Sequence, residues 1–285
     1  MFDPSQNYFV RGLLPAWNYR LVLGSITPAA IEAGRRHSAS NQMTCLFGEA
    51  MLGAFFLECA GSKSDAIKTC LHLEGTGPAQ RIIAFASIEG RVRAHAGVPQ
   101  AQWNGSLEEG KGPGFVKVSR WFSDSNIYTS SVEMRLAPIA KNLEDYLTRS
   151  DQVQAFVKIQ TILGPDSEPE RISGCMIQAL PGASATDTDH ALGWLGAAWP
   201  DLGREIDYKD GILSKSPFRT LGAGEFQFYC DCSLDRVSNM LLSLGEEAVQ
   251  EIIKEHGLVE VFCEFCRERY EFRPEQIGTL FGHGK

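Results

Sequence analysis

Two pairs of cysteines constrain this chain more than any other feature. Cys230-Asp231-Cys232 is followed, after thirty residues, by Cys263-Glu264-Phe265-Cys266. Zinc takes four soft ligands in a tetrahedron, and two short cysteine pairs at the ends of a helical loop supply that set. Cys230, Cys232, Cys263 and Cys266 are therefore the expected ligands of one Zn²⁺ per chain. They fill the tetrahedron, so His190, His256 and His283 are not needed as donors. Four thiolates around Zn²⁺ leave a formal charge of −2, which backbone N–H groups and cations such as Arg236, Arg267 or Arg269 are expected to relieve. Arg267 follows the last cysteine, where Gly or Asn would ease a tight turn.

Thiolate is the oxidisable form of cysteine, so an all-cysteine zinc site is also a sensor: peroxide or hypochlorite attacks sulfur, disulfides form and zinc leaves. The compartment matters here. Residues 1–14 show no basic segment leading into an apolar run, so no signal peptide is expected. The longest apolar candidate, Ala50 to Ala60, is interrupted by Gly53 and Glu58 and is too short to span a bilayer. The expected address is the cytoplasm, where thiols stay reduced and eight cysteines are not a disulfide framework. Cys45, Cys59, Cys70 and Cys175 are spread through the first 180 residues and read as small buried hydrophobes.

The pattern along the chain predicts an α+β fold in three parts. Residues 1–180 read as an α+β core domain with antiparallel or mixed sheets, because strands come in runs and not in alternation with helices. Its expected strands are Tyr8 to Leu14, Ala66 to Leu73, Arg81 to Ile88, Arg91 to Ala96, Phe115 to Phe122, Ile127 to Met134, Ala155 to Leu163 and Arg171 to Leu180. Its expected helices are Thr27 to Arg36, Asn41 to Cys59 and Ile139 to Arg149. Gly75 to Pro78 and Gly110 to Gly114 read as turns. Residues 181–229 read as a metastable helical linker, with one pattern carrying Leu192, Trp194 and Leu195 and another around Tyr208 to Phe218. Several glycines weaken it. Residues 230–285 read as a small zinc-binding module: a helix capped by Ser233, a second ended by Gly257, and strands at Leu258 to Phe262 and Arg269 to Phe272.

Other chemistries fit poorly. The net charge of −8 opposes nucleic-acid and anionic-membrane partners. A zinc-ribbon nucleic-acid module is opposed by residues 230–285 in particular, which hold eleven acidic against six basic side chains. A zinc deaminase would need Pro before Cys263, where Phe262 stands, and His72-Leu73-Glu74 lies far upstream. A thioredoxin-like pair would open a helix, whereas Cys263 and Cys266 lie between strands. The glycines at 75, 77, 110, 112 and 114 precede no Lys-Ser/Thr, so they form no phosphate loop. No Ser-His-Asp or paired-carboxylate signature stands out, and no enzyme activity is expected.

Several motifs together resemble the HslO family of redox-regulated heat-shock holdases: the cysteine spacing, Phe9-Val10-Arg11-Gly12, Leu73 to Pro78 (LEGTGP), Leu143 to Ser150 (LEDYLTRS) and Gly174 to Gln178 (GCMIQ). The resemblance spans nearly the whole chain. It implies an ATP-independent chaperone, dormant when reduced and zinc-bound. It further implies that oxidation forms the disulfides Cys230–Cys232 and Cys263–Cys266, releases zinc and unfolds the linker and module. Unfolding client proteins are then the partners, and the oxidised form is a possible homodimer. Disulfides of that pattern close tiny loops and constrain the chain far less than zinc does, so oxidation would remove a cross-link without replacing it.

Overall fold

The computed structural model describes residues 8–61, 66–202 and 218–282. The chain divides into two compact units, Met1–Tyr229 and Cys230–Lys285. The expected second linker helix falls on 208–218, of which all but Phe218 lies outside the described residues.

The first unit is α+β, with two largely antiparallel sheets enclosing helices. Its elements are β1 (Tyr8–Leu14), β2 (Tyr19–Ser25), α1 (Thr27–His37), α2 (Asn41–Ala60), β3 (Ala66–Gly75), β4 (Arg81–Ala86), β5 (Arg91–Ala96), α3 (Leu107–Lys111), β6 (Gly114–Phe122), β7 (Ile127–Met134), α4 (Ile139–Arg149), β8 (Ala155–Leu163), β9 (Pro169–Ala179), α5 (Ala185–Leu202), β10 (Arg219–Gly224) and β11 (Gln227–Phe228). Sheet A runs β10-β1-β2-β9-β8, and sheet B runs β11-β5-β4-β3-β6-β7. The β11–β5 contact is parallel.

Helix α2 touches strands of both sheets. Ser40 caps it, accepting a hydrogen bond from Met43 N–H at 3.1 Å. Seventeen of its twenty residues are buried, Met43, Phe47, Met51, Phe55 and Phe56 completely. A helix apolar on every side belongs inside a large core. This corrects the sequence expectation about membrane-length segments: α2 has the length and hydropathy of a bilayer span, but 94% of its most apolar window is buried inside the fold.

The two glycine turns pack on each other. Gly77 N–H donates to Lys111 O at 3.1 Å and Ala79 N–H to Gly110 O at 3.0 Å. A Cβ at Gly75 would lie 1.9 Å from Lys111 O, so only glycine fits there. The second glycine run is a turn only in part: Gly110 and Lys111 are the last residues of α3, whose start carries a capping box between Ser106 and Glu109.

Helix α5 covers the outer side of sheet A. Ala191, Leu195 and Ala198 join Tyr8, Val10, Leu14, Tyr19, Leu21, Leu23, Cys175 and Ile177 in one buried cluster. Trp194 packs against Trp17 with ring centroids 6.1 Å apart, and Tyr19 Oη donates to Thr188 Oγ1 at 2.9 Å. The stretch expected as a helical linker also forms strands. Residues 219–224 form β10 against β1, and 227–228 form β11 against β5. Between them Phe226 is fully buried, its ring 5.3 Å from Phe9 and 4.8 Å from Phe55. Burial of this aromatic accounts for the strand pairing: it sets the chain down between the ends of both sheets.

The second unit contains α6 (Leu234–Leu244), α7 (Glu246–His256), β12 (Val259–Phe262), β13 (Arg269–Phe272) and α8 (Pro274–Leu280). Among the described residues its buried cluster is six side chains, Val237, Leu241, Val249, Val259, Phe272 and Ile277, with partly buried ones such as Ile252, Ile253 and Phe281 packed against it. So small a core seldom holds a module of this size without a metal or disulfide.

Candidate metal centre

The four cysteines predicted from spacing come together. Their sulfurs all lie within 4.8 Å of one another, and they form the one such group of potential metal donors among the described residues. Cys230 and Cys232 precede α6, whose first turn is capped by Ser233, accepting from Arg236 N–H at 3.3 Å. Cys263 and Cys266 sit at the tip of the β12–β13 hairpin. There Cys263 N–H donates to Glu268 O and Arg267 N–H to Cys263 O, both at 2.9 Å. Closing the tip puts Arg267 in the left-handed region at φ 61°, the position where the sequence lacks Gly or Asn.

Two close sulfur contacts run between the pairs: Cys230 and Cys263 are 3.6 Å apart, and Cys232 and Cys266 are 3.2 Å apart. Zn–S bonds of about 2.3 Å in a tetrahedron place sulfurs roughly 3.8 Å apart, so this donor set fits a tetrahedral thiolate metal with small adjustments. The four cysteines could hold a metal ion.

Hydrogen-bond donors converge on the sulfurs. Tyr270 Oη donates to Cys232 Sγ at 3.1 Å. Partial burial pushes the Cys263 thiol up, but the N–H groups of Cys266 and Phe265 and the neighbouring thiols outweigh it, and its pKa falls below the ordinary value. Burial pushes the Cys266 thiol up, and the thiols of Cys232 and Cys263 add to the rise. One thiol favoured as thiolate beside one disfavoured is what crowding four anion-forming groups produces.

The arginines expected to relieve the charge are engaged elsewhere. Arg236 pairs with Asp231 at 2.6 Å, Arg269 with Glu260 and Glu271, and Arg267 lies over the Phe262 ring at 5.4 Å. The donors found are Tyr270 and backbone N–H groups. Tyr270 has no sequence signal, since its partner lies 38 residues away.

The remaining cysteines are buried, as their sequence context suggested. Burial pushes the thiols of Cys45, Cys70 and Cys175 up to about 12, and that of Cys59 upward too. They are protonated and shielded in the folded protein.

A family model described as Hsp33 protein matches residues 7–273. The chain belongs to the Hsp33 family. Among its curated relatives, a 33 kDa chaperonin of Thermus thermophilus is 30% identical, with 95% of this chain and 85% of the relative covered. A 33 kDa chaperonin of Listeria monocytogenes is 28% identical, with 98% and 99% covered. The crystal structure of a 33 kDa chaperonin from Thermotoga maritima matches with a TM-score of 0.80 at 22% identity, covering 96% of this chain and 97% of that one. That match establishes the shared fold.

Proposed function

We infer that this chain is a cytoplasmic, ATP-independent holdase switched by oxidation. Its four clustered sulfurs carry the reading: in a module with so small a buried cluster, they are where one ion can decide folding. Cys230, Cys232, Cys263 and Cys266 hold one Zn²⁺ in the reduced, dormant form. Structural zinc can contribute roughly 10–16 kcal/mol of apparent folding free energy to a small module. No catalytic residue, nucleic acid or membrane takes part.

On oxidation the disulfides Cys230–Cys232 and Cys263–Cys266 form and zinc leaves. The geometry gives this pairing a sharp test. The sulfur contacts that run between the pairs would instead give crossed bonds, Cys230–Cys263 and Cys232–Cys266, spanning 33 and 34 positions. A loop of that size constrains the unfolded chain by roughly 3–4 kcal/mol, whereas bonds within each pair constrain it little. Crossed disulfides would preserve the cross-link; neighbour disulfides abolish it. The family resemblance extends this unfolding to the linker, and departure of α5 from sheet A would open the apolar face it covers to unfolding clients. The oxidised chain then associates as a homodimer.

One aggregation assay tests the reading. A thermally unfolding client is heated with reduced protein, then with peroxide-treated, zinc-depleted protein. Equal protection by both forms would refute the switch. Peptide mapping that finds crossed disulfides would refute the mechanism, and any stoichiometry other than one zinc per four protected thiols would refute the site.

A further inference from the structure

The outer face of sheet B carries a cationic bias on an acidic chain. Its register defines the rows. Ala94, Ala84, Leu71 and Val118 align across β5, β4, β3 and β6, as do Ala96, Ile82, Leu73 and Val116; all are buried, on the side where α2 packs. The alternate rows point the other way. One aligns Arg93, Phe85, Cys70 and Ser119; the next aligns His95, Ile83, His72 and Lys117; a third pairs Lys68 with Trp121 and Ile127. Arg91 and Arg81 occupy the same side by alternation, as do Glu74, Phe115 and Glu133. Most of these side chains are at least partly exposed, Phe115 and Ile127 by 59% and 58%.

The face therefore carries Lys68, Arg81, Arg91, Arg93 and Lys117 against Glu74 and Glu133, on a chain whose net charge is −8. Lys68, Arg91 and Lys117 have no carboxylate partner among the described residues. Apolar groups lie between the cations. The rings themselves are already taken: Lys68 Nζ lies over Trp121 at 5.1 Å and Phe85 at 5.7 Å, and the Arg93 guanidinium lies over Phe85 at 4.9 Å. A base would have to displace a cation to stack there, whereas a carboxylate meets these cations where they sit.

We propose that this face docks acidic, apolar-rich stretches of unfolding polypeptide, so that the holdase selects clients by charge as well as by exposed apolar surface. The proposal rests on the holdase reading and adds a client class to it. The charge complements that class, and exposed Phe115 and Ile127 with half-buried Ile83 give its apolar side chains a place to lie.

The test uses full-length, peroxide-treated, zinc-free protein and two fluorescent unfolded peptides. They share the same Leu and Phe positions, one with Glu and the other with Lys at every charged position. Anisotropy should show the Glu peptide binding about tenfold more tightly at low salt, several exposed charge contacts together being worth that much. The preference should collapse at high salt. It should also collapse in Lys68→Gln/Lys117→Gln and in Lys68→Glu/Lys117→Glu, with aggregation of a basic client still suppressed. Equal binding of both peptides by the unaltered protein overturns the proposal without recourse to any variant. So does a preference that survives both variants, displacement of the Glu peptide by a single-stranded oligonucleotide at lower concentration than by unlabelled peptide, or loss of peptide binding as the protein self-associates. Suppressed aggregation with neither peptide bound sinks this surface and leaves the holdase reading standing; failure of both assays sinks the two together.

Discussion

Leu195 offers the clearest handle on the latch formed by α5. It is 2% exposed and packs in the cluster that α5 shares with sheet A. Leu195→Ala removes buried methyl groups and leaves a gap, at a cost of about 2–5 kcal/mol. If that cost falls on the docking of α5 and not on the sheets, the opening equilibrium rises by roughly thirtyfold to a few thousandfold, since about 1.4 kcal/mol is a factor of ten. Cys175 reports it, being fully buried in the same cluster. Cys45, fully buried in α2, is the internal control, and both thiols are shielded until the fold opens around them. In reduced, zinc-loaded protein, alkylation followed by peptide mass mapping reads the two rates. When reclosing is fast, each rate follows its opening equilibrium. Leu195→Ala should accelerate Cys175 by at least about thirtyfold and leave Cys45 unchanged. Equal acceleration of both would show global unfolding; no acceleration would show that α5 does not guard this face. Either result refutes the latch.

Three further outcomes are expected. Glu58 accepts from Thr69 Oγ1 at 2.5 Å, and burial pushes its carboxyl up to about 7. The folded state thus keeps a proton that the unfolded chain releases near pH 4–5. This stability is full below that range and is lost as pH rises to about 7, by about 1.4 kcal/mol per pH unit; Glu49, also pushed up to about 7 by burial, adds a like dependence, so Glu58→Gln should roughly halve the fall of the urea midpoint between pH 5 and 7. Tyr270→Phe removes the donor to Cys232 and should weaken metal retention about tenfold or more against a competing chelator; unchanged retention would discount that hydrogen bond. Arg267→Asn relieves a left-handed residue at φ 61° and should stabilise the metal-bound module by up to about 1 kcal/mol, with a raised thermal midpoint as the readout.

Much of this architecture was legible before any coordinates. The periodicity of Ile139 to Arg149 matches α4 residue for residue, and the cysteine spacing located the metal centre. Strand β2 escaped notice because Tyr19–Ser25 is a central strand covered on both faces, which erases the alternation that marks a half-buried strand. Strand β10 was hidden by Gly222 and Gly224, which argue against a strand in isolation. A Cβ at Gly224 would come within 2.8 Å of the Phe9 ring, so the residue serves a close approach that only the folded chain reveals. At the site, residue types were readable but partners were not. The arginines near the cysteines turned to carboxylates and a ring, and the donor came from Tyr270 on the far strand of the hairpin.

The ties at either end of α5 bear on how the protein returns to rest. Leu180 N–H donates to Asn18 O at 3.0 Å just before the helix, and Arg219 pairs with Leu13 after it. Both anchors lie on the β1–β2 hairpin, so while β10 stays paired with β1 a detached α5 is not a free tail but a closed loop. The entropy of such a loop grows only with the logarithm of its length, and its effective concentration at the empty face stays high. Once a client leaves, re-docking is an intramolecular step over a short distance. The released client must compete against it, so the same two anchors that limit how far the helix can travel also help expel the cargo.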